Sequence, residues 1–167
     1  IKKYPKYQYY SSITFQNIIL PILLILYSFK QIKSEYIYLS CFSYFLTDIP
    51  ELIYLRDTPL LMHHVLSMML LLCANYLDDS VQLYCILHVF ILELGSSILS
   101  IPYVFKYDIL KKCRFPIFTI SRILSFFTLY NIISSENVGK SVKQMIIFFK
   151  ILVYIYNYQL IMILYKK

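Results

Sequence analysis

The sequence predicts an all-α membrane protein, a bundle of six transmembrane helices around a polar-lined central chamber. Three observations carry that expectation. Of the 167 residues, 59% are hydrophobic and only 15% charged, whereas a soluble domain has roughly half apolar and about a quarter charged residues. The chain therefore has too little polar surface to face water on all sides. Apolar stretches of about 20 residues, the length that crosses a ~30 Å hydrocarbon core, recur with short polar gaps such as Asp78-Asp79-Ser80 between them. The basic residues behind the net charge of +7 sit in those gaps, as loop residues of membrane proteins do. That placement excludes a nucleic-acid module. Four cysteines with no CxxC spacing do not make a secreted disulfide scaffold, and the apolar content excludes a disordered tail.

The spans are expected at 13–29, 36–55, 59–77, 81–105, 115–134 and 145–165, in a single domain covering 10–165. The first carries no charge and is followed by Lys30 and Lys33 rather than by a small-residue cleavage site, so it reads as a span and not a signal peptide. The second contains Pro50, which removes a backbone hydrogen bond and can kink the helix. The third opens near His63-His64, and the fourth carries Glu93, Ser96, Ser97 and Ser100 at i, i+3, i+4 and i+7, one helical stripe. Gly95 and those serines let a neighbouring helix come close. The fifth and sixth hold Arg122 and Asn157. Residues 1–9 read as a basic N-terminal segment cut short, because the chain opens on Ile1 rather than Met.

Orientation follows from the loop cations. Lys2, Lys3, Lys6, Arg56, Lys106, Lys111, Lys112, Arg114, Lys166 and Lys167 fall on the side holding both termini, against Lys30, Lys33, Lys140 and Lys143 on the other. Both termini are therefore expected in the cytosol.

An ionisable residue at the bilayer centre costs about 2.5–3.5 kcal/mol, which makes each one a site hypothesis. Asp48, Glu93, Arg122 and Lys150 lie inside the spans. Lys150 is the exception, since its long stem can snorkel to the interface. With a rise of ~1.5 Å per residue, Asp48, His63, His64, Arg122 and Asn157 come to similar depths in the half nearer the termini, and Glu93 a turn or two deeper. Asp48, His63, His64, Glu93, Ser96, Ser97, Arg122 and Asn157 are thus the expected lining of a chamber opening toward the cytosol.

His63 and His64 are the sharpest feature. Adjacent helical side chains diverge by ~100°, so the two rings do not grip one metal, and no metal site is expected. Either histidine can serve as a general base oriented by a carboxylate, with Asp48 or Glu93 in that role. His88 and Glu93 lie ~140° apart around their helix and are not expected to face each other. The cysteines Cys41, Cys73 and Cys85 read as packed thiols.

Tyr44-Phe45-Leu46-Thr47-Asp48, Leu61-Met62-His63-His64-Val65-Leu66-Ser67 and Leu92-Glu93-Leu94-Gly95-Ser96-Ser97 together resemble the TLC-domain family, the multi-span endomembrane proteins that include the ceramide synthases. The likeness covers roughly 10–165 and is to the smaller, non-ceramide-synthase branch, whose penultimate-helix arginine Arg122-Ile123 resembles. Where the ceramide-synthase motif has two aspartates after a Leu-His pair, Leu87-His88 is followed by Val89 and Leu92. The resemblance therefore implies an endoplasmic-reticulum protein that binds membrane lipid or acyl chains and influences lipid composition or trafficking, without ceramide synthase activity. The alternative is an acyl-CoA-dependent lipid acyltransferase with His63 or His64 as base. A second alternative is a membrane adaptor or cargo receptor working through the basic loop 106–114. No cofactor is expected, acyl-CoA entering only as a substrate. Membrane lipids are the expected partners, nucleic acid is not, and a homodimer stays open.

Overall fold

The computed structural model describes residues 6–165, and these are helical apart from short connections. Helix α1 (Lys6–Thr14) runs through a π-helical turn (Phe15–Ile19) into α2 (Leu20–Ser28), forming one rod. It is followed by α3 (Ser34–Tyr54), α4 (Thr58–Ala74), α5 (Asp79–Val104), α6 (Asp108–Ser134) and α7 (Lys140–Tyr165). Of the expected basic N-terminal segment, residues 1–5 lie outside the described residues and 6–9 belong to α1.

The six rods close into a ring. The α1–α2 rod packs on α3, α3 on α4, α4 on α7, α7 on α6, and α6 on α5, which returns to α1. Helix α5 also reaches across to α3 and α4. Connections of a few residues force consecutive helices to run antiparallel, so the loops 29–33, 75–78 and 135–139 share one end of the bundle.

Tyr9–Ser28, Asp79–Val104 and Asp108–Ser134 are long and apolar enough to cross a membrane, and Leu60–Ala74 is a shorter apolar helix. The distribution of polarity agrees with a membrane protein. The outward faces carry residues such as Ile22, Ile25, Ile120, Ile123, Phe127, Phe148 and Ile151, while Gln16, His88, Glu93, Arg122, Lys150 and Asn157 are buried. A water-soluble bundle has the reverse arrangement.

The first rod and the helices of the second half start earlier than their apolar runs, the rod at Lys6 rather than 13. α6 begins at Asp108 rather than 115 and α7 at Lys140 rather than 145. Hydropathy marks only the apolar stretch, whereas a polar first turn can still be helical. Asp79 and Asp108 lie in the first turns of α5 and α6, where a carboxylate meets the positive end of the helix dipole. α2 and α3 end in Schellman motifs: Gln31 N–H reaches Leu26 O at 2.9 Å and Lys30 N–H reaches Tyr27 O at 2.9 Å, with Asp57 and Arg56 repeating the pattern on Leu52 and Ile53. Lys30 and Arg56 take the left-handed conformation, φ 56° and 53°, at positions that usually hold glycine. The chain has only two glycines.

The π-helical turn has a local cause. Pro21 has no N–H, and its ring crowds the carbonyl of Asn17, four residues back. The backbone widens there, and Leu20 N–H bonds Phe15 O, five residues back. Gln16 and Asn17, on this wider turn, then point at α5. Such bulges are frequent at functional sites.

The apolar core fills the half of the ring toward loops 29–33, 75–78 and 135–139, with Leu20, Ile37, Phe45, Leu71, Ile86, Leu129 and Ile132 among its residues. At that end the buried Gln82 ties α5 to α3 and to the α4–α5 turn: its Oε1 accepts from Ser34 Oγ at 2.5 Å and its Nε2 donates to Leu77 O at 2.7 Å.

Candidate functional site: a buried polar layer and an adjoining cavity

Below the apolar half lies a layer of polar side chains from different helices. Glu93 of α5 is fully enclosed, and its Oε2 accepts a hydrogen bond from Gln16 Nε2 at 2.7 Å. Gln16 is held in turn by its neighbours. Ser12 Oγ donates to Gln16 Oε1 at 3.1 Å, and the Tyr44 hydroxyl donates to Ser12 Oγ at 3.1 Å. One turn along from Glu93, Ser97 Oγ lies 3.1 Å from Asn17 Oδ1. The α1–α2 rod thus presents two amides to α5, one for the acid and one for a serine.

Asp48 and His64 meet across α3 and α4, with Asp48 Oδ2 at 3.8 Å from His64 Nε2. The separation is longer than a hydrogen bond and short enough for electrostatic orientation of the ring. Tyr44 stands between this pair and the Glu93 cluster, its ring edge-on to His64 at 6.3 Å and stacked on Phe15 at 4.2 Å. His63 turns the other way and stacks on Tyr156 of α7 at 5.6 Å.

Arg122 of α6 is buried against α5. Its guanidinium donates to Leu92 O at 3.0 Å, to Ser96 Oγ at 2.7 Å and to Ser121 Oγ at 3.0 Å, and lies 3.9 Å from the centre of the Phe118 ring. A cation over a ring in a water-poor setting gains on the order of 2 kcal/mol. Among the described residues no ion pair joins Arg122 to Glu93. The helices come this close because Gly95 has no side chain: a Cβ there would collide with the Cβ and hydroxyl of Ser121.

Beside this layer is a cavity of about 50 Å³ lined by α3, α4, α5, α6 and α7. One end is bordered by His63, His88, Glu93 and Lys150, and the rest by aliphatic groups including Leu70, Leu71, Ala74, Leu77, Ile132 and Ile146. His88 is fixed by Thr128, whose Oγ1 is 2.8 Å from Nδ1. Lys150 is only 7% exposed.

The structure thus joins Asp48 to His64 and Ser96 to Arg122, and sets His63 and Glu93 on one cavity wall. Asp48, His64, Ser96, Ser97 and Arg122 do not border the cavity. Asn157 is buried in α7, with both amide atoms lacking a partner among the described residues.

Two expectations are corrected. Lys150 does not snorkel outward, because its position on α7 faces the ring interior and not the interface. The cavity also extends toward Leu77, Ile132 and Ile146, away from the chain termini, and not toward the termini side. Its wall on α4 is the stripe Ser67, Leu70, Leu71 and Ala74, which climbs from His63 toward loop 75–78.

Sequence reasoning missed Gln16, Asn17, Ser12, Ser121 and Thr128 as parts of the layer. The signal for the first two was an amide pair in an otherwise chargeless span, four to five residues before Pro21. Among the described residues no three His, Cys, Asp or Glu side chains converge as a metal site. Compared with family models, curated proteins and solved structures, the chain matches none.

Proposed function

We propose that this chain is a multi-pass protein of the endoplasmic reticulum or a related endomembrane, crossing the bilayer six times with both termini cytosolic. It binds membrane lipid or an acyl chain within the helix ring, and so influences lipid composition or trafficking without ceramide synthase activity. The observation that carries this reading is the cavity, charged and imidazole-bearing at one end and aliphatic along the rest, the amphipathic pattern of a lipid. The six-rod ring with apolar outer faces supports the six crossings. The likeness of the Asp48, His63-His64 and Glu93 segments to the TLC-domain family points the same way.

Filling the cavity tests it. Ala74→Phe places a ring in the aliphatic end and takes up the space the chain would occupy, and a loss of about 1.4 kcal/mol or more in binding lowers affinity tenfold or more. Mass spectrometry of the purified protein is expected to find bound lipid on the wild type and little on the variant, with helix content unchanged by circular dichroism. A wild type carrying no lipid after mild extraction contradicts the reading.

The Asp48–His64 approach favours a second reading, acyl transfer from acyl-CoA with a histidine base. A base must come within hydrogen-bond reach of the proton it takes. Here the carboxylate orients His64, while His63 borders the cavity. The His63→Ala/His64→Ala double variant separates the two readings in the lipid profile of expressing cells. Lipid binding without turnover leaves that profile like the wild type's, and loss of one acylated product selects the enzyme.

A further inference from the structure

The buried charges are unequally provided for. Asp48 has His64, Glu93 has the Gln16 amide, and Arg122 has a carbonyl and two serine hydroxyls. Lys150 has neither a hydrogen bond nor an ion pair among the described residues, although it is 93% enclosed and borders the cavity. An ammonium held away from bulk water with no direct partner is costly. We propose that the cavity receives a single-chain lipid with an anionic head group, the head seated on Lys150 and the chain directed along the aliphatic end. This rests on the lipid-binding reading above and names the ligand class.

The neighbouring groups fit that assignment. The Thr128 hydroxyl donates to Ser125 O at 2.9 Å, so its oxygen accepts from His88 Nδ1–H at 2.8 Å. His88 Nε2 has no partner among the described residues. Among the described residues Lys150 is the one lysine or arginine on the cavity wall. Glu93, on the same wall, is occupied by Gln16 and forms no ion pair with Lys150. Water alone does not complete the site. A volume of about 50 Å³ holds a few waters at roughly 10–15 Å³ each, and each needs two or more polar partners, whereas most of the wall is aliphatic. Ile146 is one turn from Lys150 on α7, toward loop 135–139, which sets the direction of the chain. The volume admits little more than the head group, so the chain must part the aliphatic end. A carboxylate and a phosphate monoester share the required chemistry.

The test titrates the purified full chain in a non-ionic detergent with palmitate, hexadecyl phosphate and hexadecanol. At least one of the two anions is expected to bind about tenfold or more tightly than hexadecanol, and the tighter of the two identifies the head group. Lys150→Met is expected to abolish the preference and Lys150→Arg to keep it. The thermal midpoint of ligand-free Lys150→Met should equal or exceed the wild type's, because an uncompensated buried charge has been removed. Equal binding of hexadecanol and the anions, or an anion preference that survives Lys150→Met, overturns the assignment of charge while leaving lipid binding intact. A midpoint of Lys150→Met well below the wild type's overturns it too, since Lys150 would then be serving the fold. Binding of none of the three probes overturns both readings.

Discussion

Gly95→Ala is expected to destabilise the bundle by about 1–3 kcal/mol or more, the cost of inserting an atom into a packed seam, and to detach Arg122 from α5. The added Cβ would overlap both the hydroxyl and the Cβ of Ser121, and would crowd an Arg122 guanidinium nitrogen at 3.1 Å. A hydroxyl can rotate away, but a Cβ is fixed to the backbone, so α5 and α6 must separate. Arg122 reaches Leu92 O and Ser96 only while these helices stay close. The loss should appear as a lowered thermal or denaturant midpoint. A Gly95→Ala/Ser121→Gly double variant removes both obstructing atoms and should recover much of it, a coupling visible in a double-mutant cycle. Wild-type stability in the single variant would show that the seam has slack the structure does not display.

Much of the fold was legible in the sequence because bilayer-scale helices leave a strong signal. Apolar runs separated by Lys30, Arg56, Asp78-Asp79 and Lys106 place the helices within a few residues. The ends were less legible, because a first turn with Asp108, Lys111 and Lys112 is helical without being apolar. Lys111 and Asp108 pair there at 2.8 Å. For the polar layer, depth counting places residues at a common level but not at a common angle. Asp48 and His64 come out adjacent, yet the same counting says nothing of which groups face a cavity. Lys150 shows the limit most clearly, since a lysine near the start of an apolar run has two ways to satisfy its charge and only packing decides between them. Gln16 was hidden for another reason. Its aim depends on a widened turn set by Pro21, and regular helical periodicity does not describe that turn.

Gln16→Leu is expected to cost about 1.5–3 kcal/mol, the contribution of a hydrogen bond to a charged group, because it strips the Glu93 carboxylate of its amide donor at 2.7 Å. Leucine matches the glutamine closely in size, so the effect is electrostatic rather than a cavity. The partner change tests this directly. In Gln16→Leu/Glu93→Leu both members are apolar, no acid is stranded, and stability should return toward the wild type, as when buried polar pairs are exchanged whole. Additive losses in the two single variants would mean that the bond does not carry the effect. The single variant also bears on the ligand. Glu93 sits on the same wall as Lys150, and without Gln16 its side chain is free to turn toward that ammonium. Glu93 would then compete with an anionic head group, so palmitate affinity should fall in Gln16→Leu and recover in the double variant. In this view the π-helical turn serves binding at a distance: by keeping one amide on one acid, it keeps the cation of the cavity available.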